Sequence, residues 1–300
     1  MKSRHLLCVI DDGFLYGGEE LEDNWVIENL EQALATWNNK LSEIWQLLSQ
    51  SPEEFKEGNI WRLAVNINDA LQAVGLGLLI LFFAMSIFKS SLTFRDFKRP
   101  EQMLHYFIRF VAAKAAVTYG MEIMTAIFTI CAGIISTAAG DLGSVNQGML
   151  ILPEEIKLAV EEVGFLAGIP LWIVTILGSV FITVLSFVMI LTVYARFFRL
   201  YMYTALAPIP LATFAGEMTA STGRAFIKSY IGVCLEGAII VLACVIFSAF
   251  ITSGDTVIVG ESSSAVAIVW GYLAENIFNM LVLVGLVKGA DRIVKEIFGL

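Results

Sequence analysis

Charge is scarce in this sequence: of 300 residues, 16% are Asp, Glu, Lys or Arg, where a soluble domain of this size carries about a quarter. Histidine is scarcer still. His5 and His105 cannot build a zinc site with Cys8, Cys131, Cys234 and Cys244, which show neither a CxxC nor any other metal spacing. Three of those cysteines lie in apolar segments, where Cys behaves as a small buried hydrophobe, so no disulfide framework is implied. HExxH, GxSxG, a Walker A loop and a dinucleotide-binding fingerprint are all missing. The expectation is a chain that is not an enzyme and needs no cofactor or metal.

What is present is apolar. Hydrophobic residues make up 57% of the chain and the mean hydropathy is +0.76. They fall in blocks long enough to cross about 30 Å of hydrocarbon as helices, and backbone in lipid must satisfy its own hydrogen bonds. The predicted fold class is therefore all-α: a polytopic helical membrane protein with about five transmembrane helices.

The net charge of -9 is sorted by region, since residues 1–67 hold 12 acids and 5 bases. Met1 to Ile10 lacks a sustained apolar run before Asp11 and Asp12, so no secretory signal is read there. Gly13, Gly17 and Gly18 discourage a long helix over residues 1–20. From Leu21 to Leu48 apolar residues recur at helical spacing, including Leu34, Trp37 and Leu41, between acidic and amide residues. This predicts an amphipathic helix ended by Ser51-Pro52. Its acidic polar face argues against a lipid-surface anchor. The face of Leu34, Trp37 and Leu41 is expected to dock on a sister subunit or partner, the alternative being packing on the chain's own spans. The region 1–67 is read as extracytoplasmic and 68–300 as the transmembrane domain.

The first span is Asp69 to Phe88. A second apolar helix runs from about His105 to Ala139 (span about 110–137). The third, Gly164 to Tyr194 (span about 164–195), has no charge; Ser229 to Thr252 and Val266 to Val287 are the last two. Residues 200–227 are apolar but broken by Pro208 and Pro210, which cannot both sit in a regular helix interior. They read as a helix–break–helix element buried in the bundle, because irregular backbone is tolerated at membrane depth only there or along a cavity. Loops 89–103 and 196–228 and the C-terminal tail hold 4, 4 and 3 Lys/Arg, against 1 and 0 for 140–162 and 253–264. The positive-inside rule then sets the N-terminus outside and the C-terminus inside a membrane crossed five times, provided 200–227 does not cross completely.

Three carboxylates fall inside predicted spans: Glu122, Glu236 and Glu275, the last with Asn276 beside it and Asn279 a turn on. Each costs several kcal/mol in lipid, on the order of 3 by insertion scales. They are candidates to line a conduit or to make interhelical hydrogen bonds. Small residues four apart, Gly164/Gly168, Ala212/Gly216 and Gly285/Gly289, permit close helix contacts. Gly75-x-Gly77 lies within an apolar span and reads as a packing feature.

The stretch from Ala195 to Gly216, with Arg196 and Arg199 at a helix end leading into Ala207, Pro208 and Pro210, resembles the TrbL-like polytopic membrane proteins of conjugative type IV secretion systems, particularly those of Gram-positive conjugative elements. Gly223-Arg-Ala-Phe-Ile-Lys-Ser-Tyr and Cys234-Leu-Glu-Gly237 are similar to the family's next entry and span. The resemblance covers roughly residues 60–298 and implies a channel or scaffold subunit rather than a catalyst. It further implies other secretion subunits as partners, a homo-oligomeric ring in the lipid bilayer, and DNA only as translocated cargo. On that reading Pro208 and Pro210 shape a buried turn near the conduit, and Glu236 or Glu275 line it.

Two other classes remain open on the residues alone. One is a small-solute or ion transporter coupled through Glu122, Glu236 and Glu275, although only one broken element is found where an inverted repeat would supply two. The other is a membrane scaffold that conducts nothing.

Overall fold

The computed structural model describes residues 25–92, 100–142, 150–161, 163, 165–253 and 264–299. The glycine-rich start with Cys8, the basic residues Arg95, Lys98 and Arg99, the loop acids Asp255 and Glu261, and Gly164 lie outside them. Among the described residues there are helices and no strands. They are α1 (Trp25–Ser49), α2 (Asn59–Leu92), α3 (Pro100–Thr118), α4 (Gly120–Leu142), α5 (Glu154–Glu161), α6 (Phe165–Leu206), α7 (Pro208–Ala212), α8 (Ala220–Ser253) and α9 (Ala265–Phe298). Five helical stretches are long and apolar enough to cross a membrane: Phe55–Lys89, Gly120–Thr137, Ile169–Leu206, Ala220–Ile251 and Val266–Phe298. The chain is an all-α, multi-pass membrane protein.

The spine is α6, whose 42 residues extend twelve residues beyond the Tyr194 expected from its charge-free run. Helix α1 lies along it and runs in the same direction. Trp25 packs edge-on against Trp172 at 5.3 Å, Ser179 Oγ donates to the Asn29 carbonyl at 3.3 Å, and Tyr194 OH donates to Glu43 at 3.3 Å. Helix α9 also runs parallel to α6, with Gly178 admitting Leu273 at one end and Arg199 bound to Asp291 at the other. Helix α8 runs back in the opposite direction, packed chiefly on α9 and α4: Cys234 meets Arg196, and Phe247, thirteen residues on, reaches Trp37. The sequence also marks the ends of α9. Ser264 Oγ accepts from the Ala267 amide at 3.4 Å, and Gly299 takes the left-handed conformation (φ 63°) that closes the last turn.

The turn between α1 and α2 places Lys56 and Glu57 at positive φ (51° and 61°), followed by Gly58 at 70°. Side chains with a Cβ resist that region, so neighbouring contacts must hold the turn. Phe55 stacks on Phe197 at 4.3 Å, Tyr201 OH donates to the Pro52 carbonyl at 2.9 Å, and Trp61 packs on Tyr201. Helix α2 therefore starts ten residues before Asp69, and the boundary drawn at 67/68 falls inside it.

Helices α2 and α3 form an antiparallel hairpin, with Phe83 against Phe110 at 4.6 Å and Gln72 Nε2 donating to the Thr118 carbonyl at 3.1 Å. The helix expected to be continuous from His105 to Ala139 is divided at Tyr119. Gly120 follows, and a Cβ there would lie 2.9 Å from Leu211 Cδ1, so the chain bends where a glycine lets the broken element approach. Two buried clusters result. One joins α1, α5, α6, α8 and α9; the other joins α2, α3, α4 and α7 with the end of α6 and the start of α8.

Candidate functional site

Helix α6 stops at Leu206 because Pro208 has no N–H to give the Thr204 carbonyl. Pro208 opens α7 in a first-turn position, where its missing donor is no loss, and Pro210 sits in the same short turn. A 3-10 turn over Thr213–Ala215 follows, and Thr219 Oγ1 donates to the Thr213 carbonyl at 2.8 Å, tying the chain into α8. Ala207, Pro208, Leu211, Ala212 and Ala215 are buried. The proline turn is interior, and because α6 runs to Leu206 and α8 starts at Ala220, much of 200–227 is regular helix. Gly75 accounts for its fit: a Cβ there would stand 2.8 Å from the Pro208 carbonyl oxygen, while Gly77 has nothing within 4 Å. Of the Gly75-x-Gly77 pair, the first does the packing.

Above the break, four charges join α6, α8 and α9. Glu236 is 1% exposed and accepts from Arg199 at 2.6 Å. The other arm of the Arg199 guanidinium reaches Asp291 at 2.8 Å. Arg196, one turn earlier and also 1% exposed, donates into α8 backbone, to the Val233 carbonyl at 3.3 Å and the Cys234 carbonyl at 3.1 Å. Gly237 makes room for it, since a Cβ there would lie 2.6 Å from the guanidinium carbon. A buried guanidinium is tolerated only with its hydrogen bonds satisfied and counter-charge near, and here α8 supplies both. The second Glu236 oxygen is buried without a hydrogen-bond partner.

The structure does not bring the sequence-predicted carboxylates together. Glu236 is closed off inside the chain, whereas Glu122 and Glu275 are exposed on α4 and α9. Glu275 lies sixteen residues before Asp291 on α9, about 24 Å along the helix axis. Asn276, not Glu275, is the buried member of its pair, donating to the Tyr272 carbonyl at 2.8 Å; Asn279 is half-buried. Gly285 and Gly289 have nothing within 4 Å. No group of His, Cys, Asp and Glu among the described residues is arranged to hold a metal.

The docking face of α1 needs correction. Leu34, Trp37 and Leu41 are 3%, 0% and 2% exposed within this single chain, in the cluster with α6, α8 and α9, and Trp37 packs against Phe247 at 6.5 Å. An apolar stripe seeks the nearest apolar surface, and the chain's own spans provide it. What α1 leaves outward is its other face: Glu28, Glu31, Gln32, Ala35, Asn39 and Gln46.

On the sequence alone Arg196 and Arg199 are positive-inside markers and carriers of the family resemblance with no assigned partners, and Asp291 has no signal of its own. A signal existed: two arginines three residues apart, closing a charge-free span, in a chain with a lone Glu in a later span.

The family model described as TrbL/VirB6 plasmid conjugal transfer like protein matches residues 37–208, 172 of 300 residues. The match begins at Trp37 within α1 and ends on the first proline of the break, so it takes in Arg196 and Arg199. Glu236 and Asp291 lie beyond it. Among curated proteins, none matches the chain.

Proposed function

This chain belongs to the TrbL/VirB6-like family of plasmid conjugal transfer proteins, and we propose that it serves a conjugative type IV secretion apparatus as a membrane channel or scaffold subunit. In that role it supports passage of DNA–protein cargo across the plasma membrane, works beside other secretion subunits, and assembles as a ring of copies. The observation that carries the reading is the family match across α1 to α6 in a chain with five membrane-competent helices.

The protomer suits a static part better than a carrier. The three carboxylates that a proton- or ion-coupled transporter would share are dispersed, and the buried one is committed to Arg199. Basic residues concentrate at the C-terminal ends of α6 and α9, where Arg199 meets Asp291, within about one turn of Lys288, Arg292 and Lys295 in the sequence. That concentration supports a cytoplasmic placement for the ends of α6 and α9.

The test is mating efficiency after in-frame deletion in the source strain, with a plasmid-borne copy restored. Loss of DNA transfer and its rescue is the expected result. Unchanged transfer would refute the reading.

A further inference from the structure

Five contacts of α2 recur at one spacing. Trp61 packs on Tyr201, and Asn68 Nδ2 donates to the Thr204 carbonyl at 2.6 Å. A Cβ on Gly75 would lie 2.8 Å from the Pro208 carbonyl oxygen, and a Cβ on Gly216 would lie 3.3 Å from the Phe82 carbonyl oxygen. Lys89 Nζ reaches Met218 Sδ at 3.0 Å. Positions 61, 68, 75, 82 and 89 follow one another at intervals of seven residues, so they share one face of the helix and drift only about 20° per step. Their partners run in order from the end of α6 through the proline turn to the connection before α8. The stripe is about 42 Å long and touches the chain on both sides of the break.

One of these contacts replaces a bond that the break forfeits. In a continuous helix the amide of residue 208 would donate to the Thr204 carbonyl, and proline has no amide hydrogen. The Ala207 amide gives that carbonyl only a long bond, at 3.4 Å. The Asn68 side chain, 4% exposed, fills the place at 2.6 Å. A buried carbonyl left without a partner is costly, so the bond matters to the helix end it caps. Helix α2 also belongs to both buried clusters: Ala64 lies in the first and Leu79 in the second, with Asn68 and Gly75 between them in the chain.

We infer that α2 is a splint across the proline break and that Asn68 is its positioning residue, supplying from a second helix the hydrogen bond that Pro208 withholds from Thr204. The α2–α3 hairpin and both ends of the break therefore move as one body. The end of α6 held in this way carries Arg196 and Arg199, so the splint also steadies the helix end from which they reach α8 and α9. The inference stands on contacts within the chain and is independent of the channel reading.

The test is a double-mutant cycle on the full-length chain, read as unfolding in detergent. Asn68→Leu keeps the volume and removes the donor, while Pro208→Ala returns a backbone N–H to the Thr204 carbonyl. In the otherwise unaltered chain Asn68→Leu is expected to lower the folded-to-unfolded ratio by about tenfold to a hundredfold, the cost of an orphaned buried carbonyl. With Pro208→Ala in place, most of that loss disappears. Gln72→Leu, which removes the donor to the Thr118 carbonyl within the same hairpin, should cost the same in both backgrounds. No loss from Asn68→Leu, or an equal loss in both backgrounds, would overturn the assignment. If Asn68→Leu alone gives no folded protein, recovery by Pro208→Ala supports the splint and failure to recover overturns it.

Discussion

Replacing Gly237 with Ala adds one methyl group, and the structure says where it goes. The new Cβ would stand 2.6, 2.7 and 2.8 Å from Cζ, Nη2 and Nη1 of Arg196. The guanidinium is the far end of a flexible side chain, but at 1% exposure it has no solvent to retreat into. Moving it strains or breaks its bonds to the Val233 and Cys234 carbonyls. Hydrogen bonds to charged groups contribute about 1.5–3 kcal/mol each. Against their loss stands the roughly 0.5–1 kcal/mol that Ala gains over Gly inside a helix. Allowing for partial relaxation, the net destabilisation is about 2–4 kcal/mol. The assay is a double-mutant cycle with Arg196→Met, followed by unfolding in detergent. Removing the guanidinium frees the space, so Gly237→Ala becomes neutral or mildly stabilising in that background, with a coupling on the order of the single-mutant loss. Gly271→Ala, with nothing within 4 Å of the added Cβ, controls for the backbone effect. Equal effects of Gly237→Ala in both backgrounds would refute the steric reasoning.

Trp37→Ala removes a wholly buried indole and leaves a cavity beside Phe247. A loss of about 3–5 kcal/mol is expected, read as faster proteolysis of α1 in detergent while the α6–α9 region stays intact. Gly75→Ala drives a Cβ to 2.8 Å from backbone at Pro208, whereas Gly77→Ala meets nothing within 4 Å. The first should lower mating efficiency and thermal stability and the second neither; equal effects would remove the break from the account.

Much of the fold was legible in the residues. Apolar length gave the five spans, because a helix must be about twenty residues long to cross hydrocarbon. The two prolines located the break, because neither supplies the donor that a continuing helix requires. Long-range pairing was less visible. The site depends on Gly237 lying over Arg196 and on Asp291 reaching Arg199, contacts across 41 and 92 positions of chain, and nothing local in the sequence encodes such a meeting. The three carboxylates looked equivalent because each is a lone acid in an apolar run. Helix rotation separated them, burying Glu236 and turning Glu122 and Glu275 outward.

The α1 helix shows the division most directly. Its sequence determined that it is amphipathic and which side is apolar, since a 3.6-residue period fixes both. Its sequence could not say which surface would cover that side, because any apolar surface lowers the free energy of burial in the same non-directional way. Only the tertiary structure decided that α6, α8 and α9 take it, and so turned Glu28, Glu31, Gln32 and Asn39 outward beside a span that has no charge.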